Sequence, residues 1–344
     1  MEEKSPLVTI VIPLFNKALY IERTLESISA QTFQDFEVIV VDDGSTDEGP
    51  LLTELWMERH PKLRIVLLRQ ENRGPGAARN TGIKQARGKY ITFLDADDEW
   101  LPSFLSETVR FLEAHPQAAM VAADYYQRPK QFWTSEYWRA LGIETGVHRI
   151  APTAPASFVI RLVSFVKTCG TLARTAEVRI HGGFFDAYKC TYGEDQYLWL
   201  KLVFSEYVGI LLKPLAIYHL DASELAIGQM CSAPLEPFLK NANAIESSCP
   251  DHLRPLLAMV LYARALRSTE KLARLGKKKE AETLLRRFQN PGNNVNYRRW
   301  VSMQVFFSPL IHALRMFVLT LPSGPKSLML SFIHTILERS PWKT

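Results

Sequence analysis

Short β-branched runs alternate with helical periodicity through the first hundred residues. Val8-Thr9-Ile10-Val11-Ile12-Pro13 reads as a buried strand that stops at a proline, and Phe36-Glu37-Val38-Ile39-Val40-Val41 repeats the pattern ahead of Asp42-Asp43-Gly44. Between them, Leu19 to Gln31 sets Ile21, Leu25 and Ile28 at helical spacing, and a connection of that length makes a βαβ unit rather than a hairpin. A helix over 48–60, an apolar run from Leu63 to Leu68, a helix from Gly76 to Ala86 and a run from Tyr90 to Leu94 continue the alternation. Four strand–helix exchanges in about 95 residues predict an open parallel α/β sheet.

Beyond that the pattern weakens. Residues 124–168 form an aromatic-rich stretch, with Trp133, Tyr137 and Trp138, in which no element stands out. Gly182-Gly183-Phe184-Phe185-Asp186, followed by Gly193 to Leu200, reads as a loop entering a helix. Past 235 the texture is helical: Leu256–Leu275 and Lys279–Phe288 pair around Gly276 like one tetratricopeptide-type unit, which is not an array. Residues 300–321 are strongly apolar, but Pro309, His312 and Arg315 interrupt them, so an interfacial helix is more economical than a membrane span. Leu328–Leu337 reads as a second such segment. The expected division is an α/β domain over 1–235 and a helical, basic, partly amphipathic region over 236–344.

Composition narrows the classes. With 344 residues, 47% hydrophobic, and ordinary counts of 17 Gly and 20 Pro, wholesale disorder and collagen-like sequence are excluded. Cys169, Cys190, Cys231 and Cys249 show no CxxC spacing, which removes support for structural zinc or a thioredoxin-type site and suits a reducing compartment. The acidic start Met1-Glu2-Glu3-Lys4 does not read as a signal peptide. Net charge is +5 but lopsided: from Asp251 to Thr344 there are 16 Lys/Arg against 5 Asp/Glu, leaving 25 against 31 in the first 250 residues. A basic tail on an acidic body suggests an anionic partner, a membrane surface before nucleic acid, because no nucleic-acid recognition motif accompanies the charge.

In an open α/β sheet the ligand sits beyond the carboxyl ends of the strands. The residues there are Pro13–Asn16, Asp42–Asp47, Gln70–Arg79 and Asp95–Asp98. Three carboxylates, Asp95, Asp97 and Asp98, repel one another unless a cation joins them, and Mg²⁺ or Mn²⁺ on one or two acids plus substrate phosphate fits. An acidic helix cap is the plainer alternative. Asp42-Asp43-Gly44-Ser45-Thr46-Asp47 can present a carboxylate to a nucleobase or ribose, although such residues also cap helices. Arg73 and Arg79, around the small residues of a helix start, favour phosphate. A nucleoside-facing acid, a metal-binding cluster and basic groups together describe a nucleotide-diphosphate site.

The blocks Val8–Asn16, Val41–Asp47, Arg73–Gly82, Phe93–Asp98 and Gly193-Glu194-Asp195 resemble, in order, those of the family 2 glycosyltransferases over roughly residues 6–220. The resemblance implies a GT-A fold, the Rossmann-like nucleotide-diphospho-sugar transferase architecture, here with a C-terminal helical extension. It implies an inverting enzyme that moves one sugar from a nucleotide-diphosphate donor, most commonly a UDP-sugar in the family, to a glycan or lipid-linked glycan hydroxyl in cell-surface polysaccharide synthesis. Pro13 and Asp43 would line the base pocket with Phe15 and Asn16 close by, Asp95 would lie near the ribose, Arg73 and Arg79 on the phosphate side, and Asp97 on the metal. Asp195 matches the family's general base, with Glu194 as the alternative. His219, after Tyr218, is a candidate metal ligand, although Asp221 stands where relatives often carry that His.

No QxxRW-type motif follows the Glu-Asp pair, which argues for single transfer over polymerisation. A cytoplasmic protein, peripheral on the inner membrane face through its C-terminal region, is the expectation, with packing on the core or homodimerisation as other roles for those helices. A sugar nucleotidyltransferase would show a Gly-rich basic N-terminal loop, which Ile12–Asn16 does not. A non-catalytic glycan- or membrane-binding protein that kept the fold would not need Asp43, Asp97 and Asp195 together.

Overall fold

The computed structural model describes residues 5–129, 132–222 and 235–289, with 302, 305 and 306 beyond them. Four parallel strands, β1 (Val8–Leu14), β2 (Phe36–Asp42), β3 (Ile65–Arg69) and β4 (Tyr90–Phe93), stand in the order β3-β2-β1-β4. The crossovers are α1 (Ile21–Ser29), α2 (Gly49–Arg59) and α3 (Pro75–Gln85). β1 and β2 are near-continuously buried, as β-branched strands covered on both faces must be. In α1 the buried residues are Ile21, Thr24, Leu25 and Ile28, one stripe at helical spacing.

The sheet does not stay parallel. It continues through β5 (Glu99–Trp100), β6 (Ala118–Arg128), β7 (Phe132–Trp133), β8 (Gly146–His148), β9 (Thr171–Arg174) and β10 (Tyr207–His219) in the order β4-β9-β6-β10-β5, with β7 on β6 and β8 on β10. β9 is antiparallel to both β4 and β6, whereas β6 and β10 run parallel. The helices of this half are α4 (Phe104–Ala114), α5 (Thr134–Ala140), α6 (Ala156–Phe165), α7 (Thr175–Ile180) and α8 (Glu194–Ser205). The weak stretch 124–168 therefore contains the end of β6, then β7, α5, β8 and the whole of α6. β6 opens Ala118-Ala119-Met120-Val121-Ala122-Ala123, and alanine has little intrinsic preference for strands; burial on the sheet decides its conformation.

By contacts the chain forms two units, Met1–Cys231 with Glu236–Arg254, and Ser232–Leu235 with Pro255–Thr344. The first thus includes the short helices α9 (Pro237–Lys240) and α10 (Ala242–Ser248). In the second, α11 (Arg254–Arg274) and α12 (Lys278–Arg287) meet at Gly276, whose left-handed φ of +75 ends the first helix. The apolar segments 300–321 and 328–337 lie outside the described residues apart from 302, 305 and 306. Among the described residues no helix is long and apolar enough to cross a membrane.

Candidate active site

The ends of β1, β2 and β4 open onto one cavity of about 450 Å³, whose far wall is the first turn of α8. Pro13, Phe15, Asp43, Arg79, Asp95, Asp97, Glu194 and Asp195 all line it. Acids from strand ends and an acid about a hundred residues later in the chain therefore share one space. Asn16, Arg73 and His219 lie off that wall.

The acids of the Asp42–Asp47 turn divide by geometry. Asp42 Oδ1 accepts from the Ser45 N–H (2.9 Å), and Asp47 accepts from the Ala18 and Gly49 N–H groups (2.8 and 3.0 Å), so both hold local turns. Asp43 reaches further: it accepts from Gln70 Nε2 (2.7 Å), the Arg73 N–H (2.9 Å) and the Gly74 N–H (2.8 Å). It pins the loop that starts α3 against the end of β2. Gly74, at φ +91, supplies the backbone conformation that lets its N–H point there. Asn16 does the same for β1, its Oδ1 accepting from the Thr46 N–H at 2.8 Å. The Arg73 side chain is exposed, and its backbone makes the contact.

Arg79 is the hub between the two walls. One terminal nitrogen donates to Asp95 Oδ1 (2.5 Å), the other to Glu194 Oε1 (2.8 Å), and its guanidinium stands 5.1 Å from the Phe184 ring centroid. Burial works against its charge, but the two carboxylates outweigh that and hold its pKa above the ordinary value. Glu194 is itself pushed up, chiefly by burial and further by Asp195, against the pull of Arg79. The two acids of the Glu-Asp pair thus differ: Glu194 is buried and committed to Arg79, whereas Asp195 is only partly buried and accepts from the Gln196 N–H (2.8 Å).

On the other wall, Asp97 Oδ2 is 2.7 Å from Lys17 Nζ. Burial and the Asp95 charge raise its pKa, with Lys17 opposing. Asp98 is wholly buried and pushed well above the usual carboxylate range by burial and by Asp97 and Asp95; its Oδ1 accepts from the His219 N–H at 2.8 Å. The His219 imidazole turns Nε2 to Glu99 Oε1 (2.7 Å) and Nδ1 toward Asp221 (3.7 Å). Asp95 and Asp97 offer the hard oxygen donors that Mg²⁺ or Mn²⁺ prefers, and a carboxyl whose charge is disfavoured by burial gains from an added cation, so the residues fit such an ion.

Sequence reasoning missed Lys17, Lys167, Thr168, Lys189, Tyr192 and Tyr218 on the cavity wall. Lys17 follows Asn16 at a strand end and was accessible to the same rule; Lys167 and Thr168 fall after α6, where no pattern was legible. Close packing of α3 on the Gly182–Asp186 loop gives a direct test. A Cβ on Gly76 would lie 2.1 Å from the Phe185 carbonyl oxygen, and the Phe185 N–H donates to the Glu194 carbonyl at 3.3 Å. Gly76→Ala is expected to cost about 1–3 kcal/mol in urea unfolding and to lower turnover by shifting Glu194 and Asp195. A variant with unchanged unfolding midpoint and activity would contradict that packing.

Residues 9–161 match the family profile described as Glycosyl transferase family 2. This chain carries a family 2 glycosyltransferase domain. The glycosyltransferase GlyA of Streptococcus pneumoniae is 38% identical over 120 residues, 35% of this chain, but the match spans only 17% of GlyA. Among solved structures, Staphylococcus aureus TarS 1–349 in complex with UDP-GlcNAc superposes with a TM-score of 0.64 at 18% identity, covering 89% of this chain and 90% of that one. Mannosyltransferase PcManGT of Pyrobaculum calidifontis, in complex with GDP-Man and Mn²⁺, gives 0.51 at 22%, covering 90% and 88%. The glycosyltransferase domain has the GT-A fold, and the C-terminal helices extend it. The parallel half expected from the alternating pattern is present, and the antiparallel insertion of β9 makes the whole sheet mixed.

Proposed function

We propose that the protein is an inverting glycosyltransferase that moves one sugar from a nucleotide-diphosphate donor, a UDP-sugar first among the candidates, to a hydroxyl of a glycan or lipid-linked glycan. The observation that carries this reading is the common cavity: the nucleotide-side residues Pro13, Phe15 and Asp43, the acids Asp95 and Asp97, and the acid Asp195 all face one space. Asn16 and Arg73 support the nucleotide side through the turns they hold.

Asp195 takes the proton from the acceptor hydroxyl as its oxygen attacks the anomeric carbon; the carbon–oxygen bond to the diphosphate breaks on the opposite face, and the nucleoside diphosphate leaves. Asp97, with Asp95 beside it, would hold Mg²⁺ or Mn²⁺, which supplies Lewis-acid neutralisation of the departing charge. Arg79 holds Asp95 and Glu194 in register rather than contributing a free guanidinium, since both terminal nitrogens are already bonded. His219, facing Glu99 and Asp221, is assigned to the support of the Asp97–Glu99 turn rather than to the metal. Exposed Lys271, Lys277, Lys279, Arg286 and Arg287 on the C-terminal helices support attraction to an anionic membrane on the cytoplasmic face, where a lipid-linked acceptor for surface polysaccharide would be met.

The reading is tested by thermal unfolding of the full chain with a panel of nucleotide sugars, with and without Mn²⁺. A ligand that binds only the folded state raises the midpoint, by about 2.7 kcal/mol of stabilisation at a hundred times its Kd. The expected result is a shift with a UDP-sugar that shrinks on chelation. No shift with any member of the panel would count against the function.

A further inference from the structure

Lys17, like Lys167 and Lys189, is a charged group on the cavity wall that the proposed reaction leaves without a task, and it is the one that meets Asp97. It leaves β1 immediately after Asn16, whose φ of +51 turns the chain, and its ammonium lies 2.7 Å from Asp97 Oδ2. The same nitrogen donates to the Ala222 carbonyl at 2.8 Å, just past the end of β10. Side-chain exposure is 20% for Lys17 and 10% for Asp97, so the pair is largely shielded from the water that weakens surface ion pairs. The neighbouring acids are held otherwise: Asp95 by Arg79, and Asp98 by the His219 N–H. The ammonium therefore stands at the oxygen that the proposed reaction gives to a divalent ion.

We propose that Lys17 is a tethered cation that occupies Asp97 and has to leave it before a divalent ion can bind, so that metal and nucleoside diphosphate bind cooperatively. This rests on the reading of Asp97 as the metal ligand. Without nucleotide, an arriving dication meets a positive charge beside its ligand oxygen, and displacing the ammonium leaves a part-buried charge without a counterion. A bound diphosphate supplies that counterion. Lys17 is suited to the exchange because a compact ammonium on a flexible stem can turn from one anion to another, which a planar, bidentate guanidinium does less readily. By linkage the effect is reciprocal: whatever factor nucleotide adds to metal affinity, metal adds to nucleotide affinity. Departure of Lys17 also frees the Ala222 carbonyl, which ties the chain just after β10 to the exchange.

The experiment is a titration of Mn²⁺ into the full chain, followed by the electron paramagnetic resonance of the free ion, with and without UDP. Wild type, Lys17→Met, Lys17→Gln and Asp97→Asn are compared after urea unfolding has identified the folded variants. Without UDP, Lys17→Met or Lys17→Gln is expected to bind Mn²⁺ roughly tenfold more tightly than wild type and to lose most of the UDP–Mn²⁺ coupling. Equal or weaker Mn²⁺ binding in both Lys17 variants overturns the proposal. So does a loss of UDP affinity with Mn²⁺ affinity unchanged, which would make the lysine a direct phosphate contact. Mn²⁺ affinity that is indifferent to Asp97→Asn is a separate failure: it removes the metal-ligand reading itself.

Discussion

Asp195→Asn is expected to lower sugar transfer by about 10²–10⁴-fold while leaving nucleotide affinity within about twofold of wild type. The amide has nearly the shape of the carboxylate, and its oxygen can still accept from the Gln196 N–H that Asp195 holds at 2.8 Å. What it loses is the capacity to take a proton. The nucleotide-side residues reach the cavity from β1 and β2, so nothing that would hold the base or ribose changes. The informative comparison is Glu194→Gln. Glu194 is buried and bonded to Arg79 at 2.8 Å, a partner the glutamine carbonyl can keep, so this variant should retain most of its turnover. Initial rates with saturating donor, together with UDP titrations, distinguish the two. Turnover near wild type in Asp195→Asn with loss in Glu194→Gln would transfer the base role to Glu194 and leave the rest of the cavity as proposed.

The parallel half of the fold was legible because burial on both faces demands β-branched runs, and β1, β2 and β4 carry them almost without interruption. The second half was not. β9 has four residues, and its place between β4 and β6 follows from antiparallel pairing to both, which no local pattern encodes. β6 is hidden by its alanines, and β10 carries Lys213-Pro214 and register shifts in mid-strand. The candidate site divides along the same line. Acids at strand ends were found because position in an α/β sheet gives them meaning; the partners that fix them were not, since Lys17 meets Asp97, and Arg79 meets Glu194, only after the chain has folded over. A lysine in a polar loop and an arginine near a helix start both read as surface or phosphate-facing charges until burial is known.

Arg79 carries the largest expected effect on stability. Replacing it with methionine keeps much of the side-chain volume against Phe184 but strands Asp95 and Glu194 without their shared cation, and breaking a buried pair in this way costs about 3–5 kcal/mol. Asp95 is 29% exposed on its side chain and can recover part of its hydration; Glu194, at 9%, cannot, so most of the loss belongs to Glu194. The sign with pH follows. Without Arg79, the opposing pull on Glu194 is gone and burial raises its folded-state pKa further above the unfolded value. A group raised in this way contributes stability below its unfolded pKa and loses it as pH rises through the folded one. The difference between Arg79→Met and wild type in urea unfolding is therefore expected to be widest near neutral pH and to narrow as Glu194 takes up its proton in mildly acidic solution. Arg79→Lys, which keeps the charge but cannot fork to two carboxylates, should fall between the two. A gap under about 1 kcal/mol, or one that does not change with pH, would mean that the two walls of the cavity are held together by something other than this ion pair.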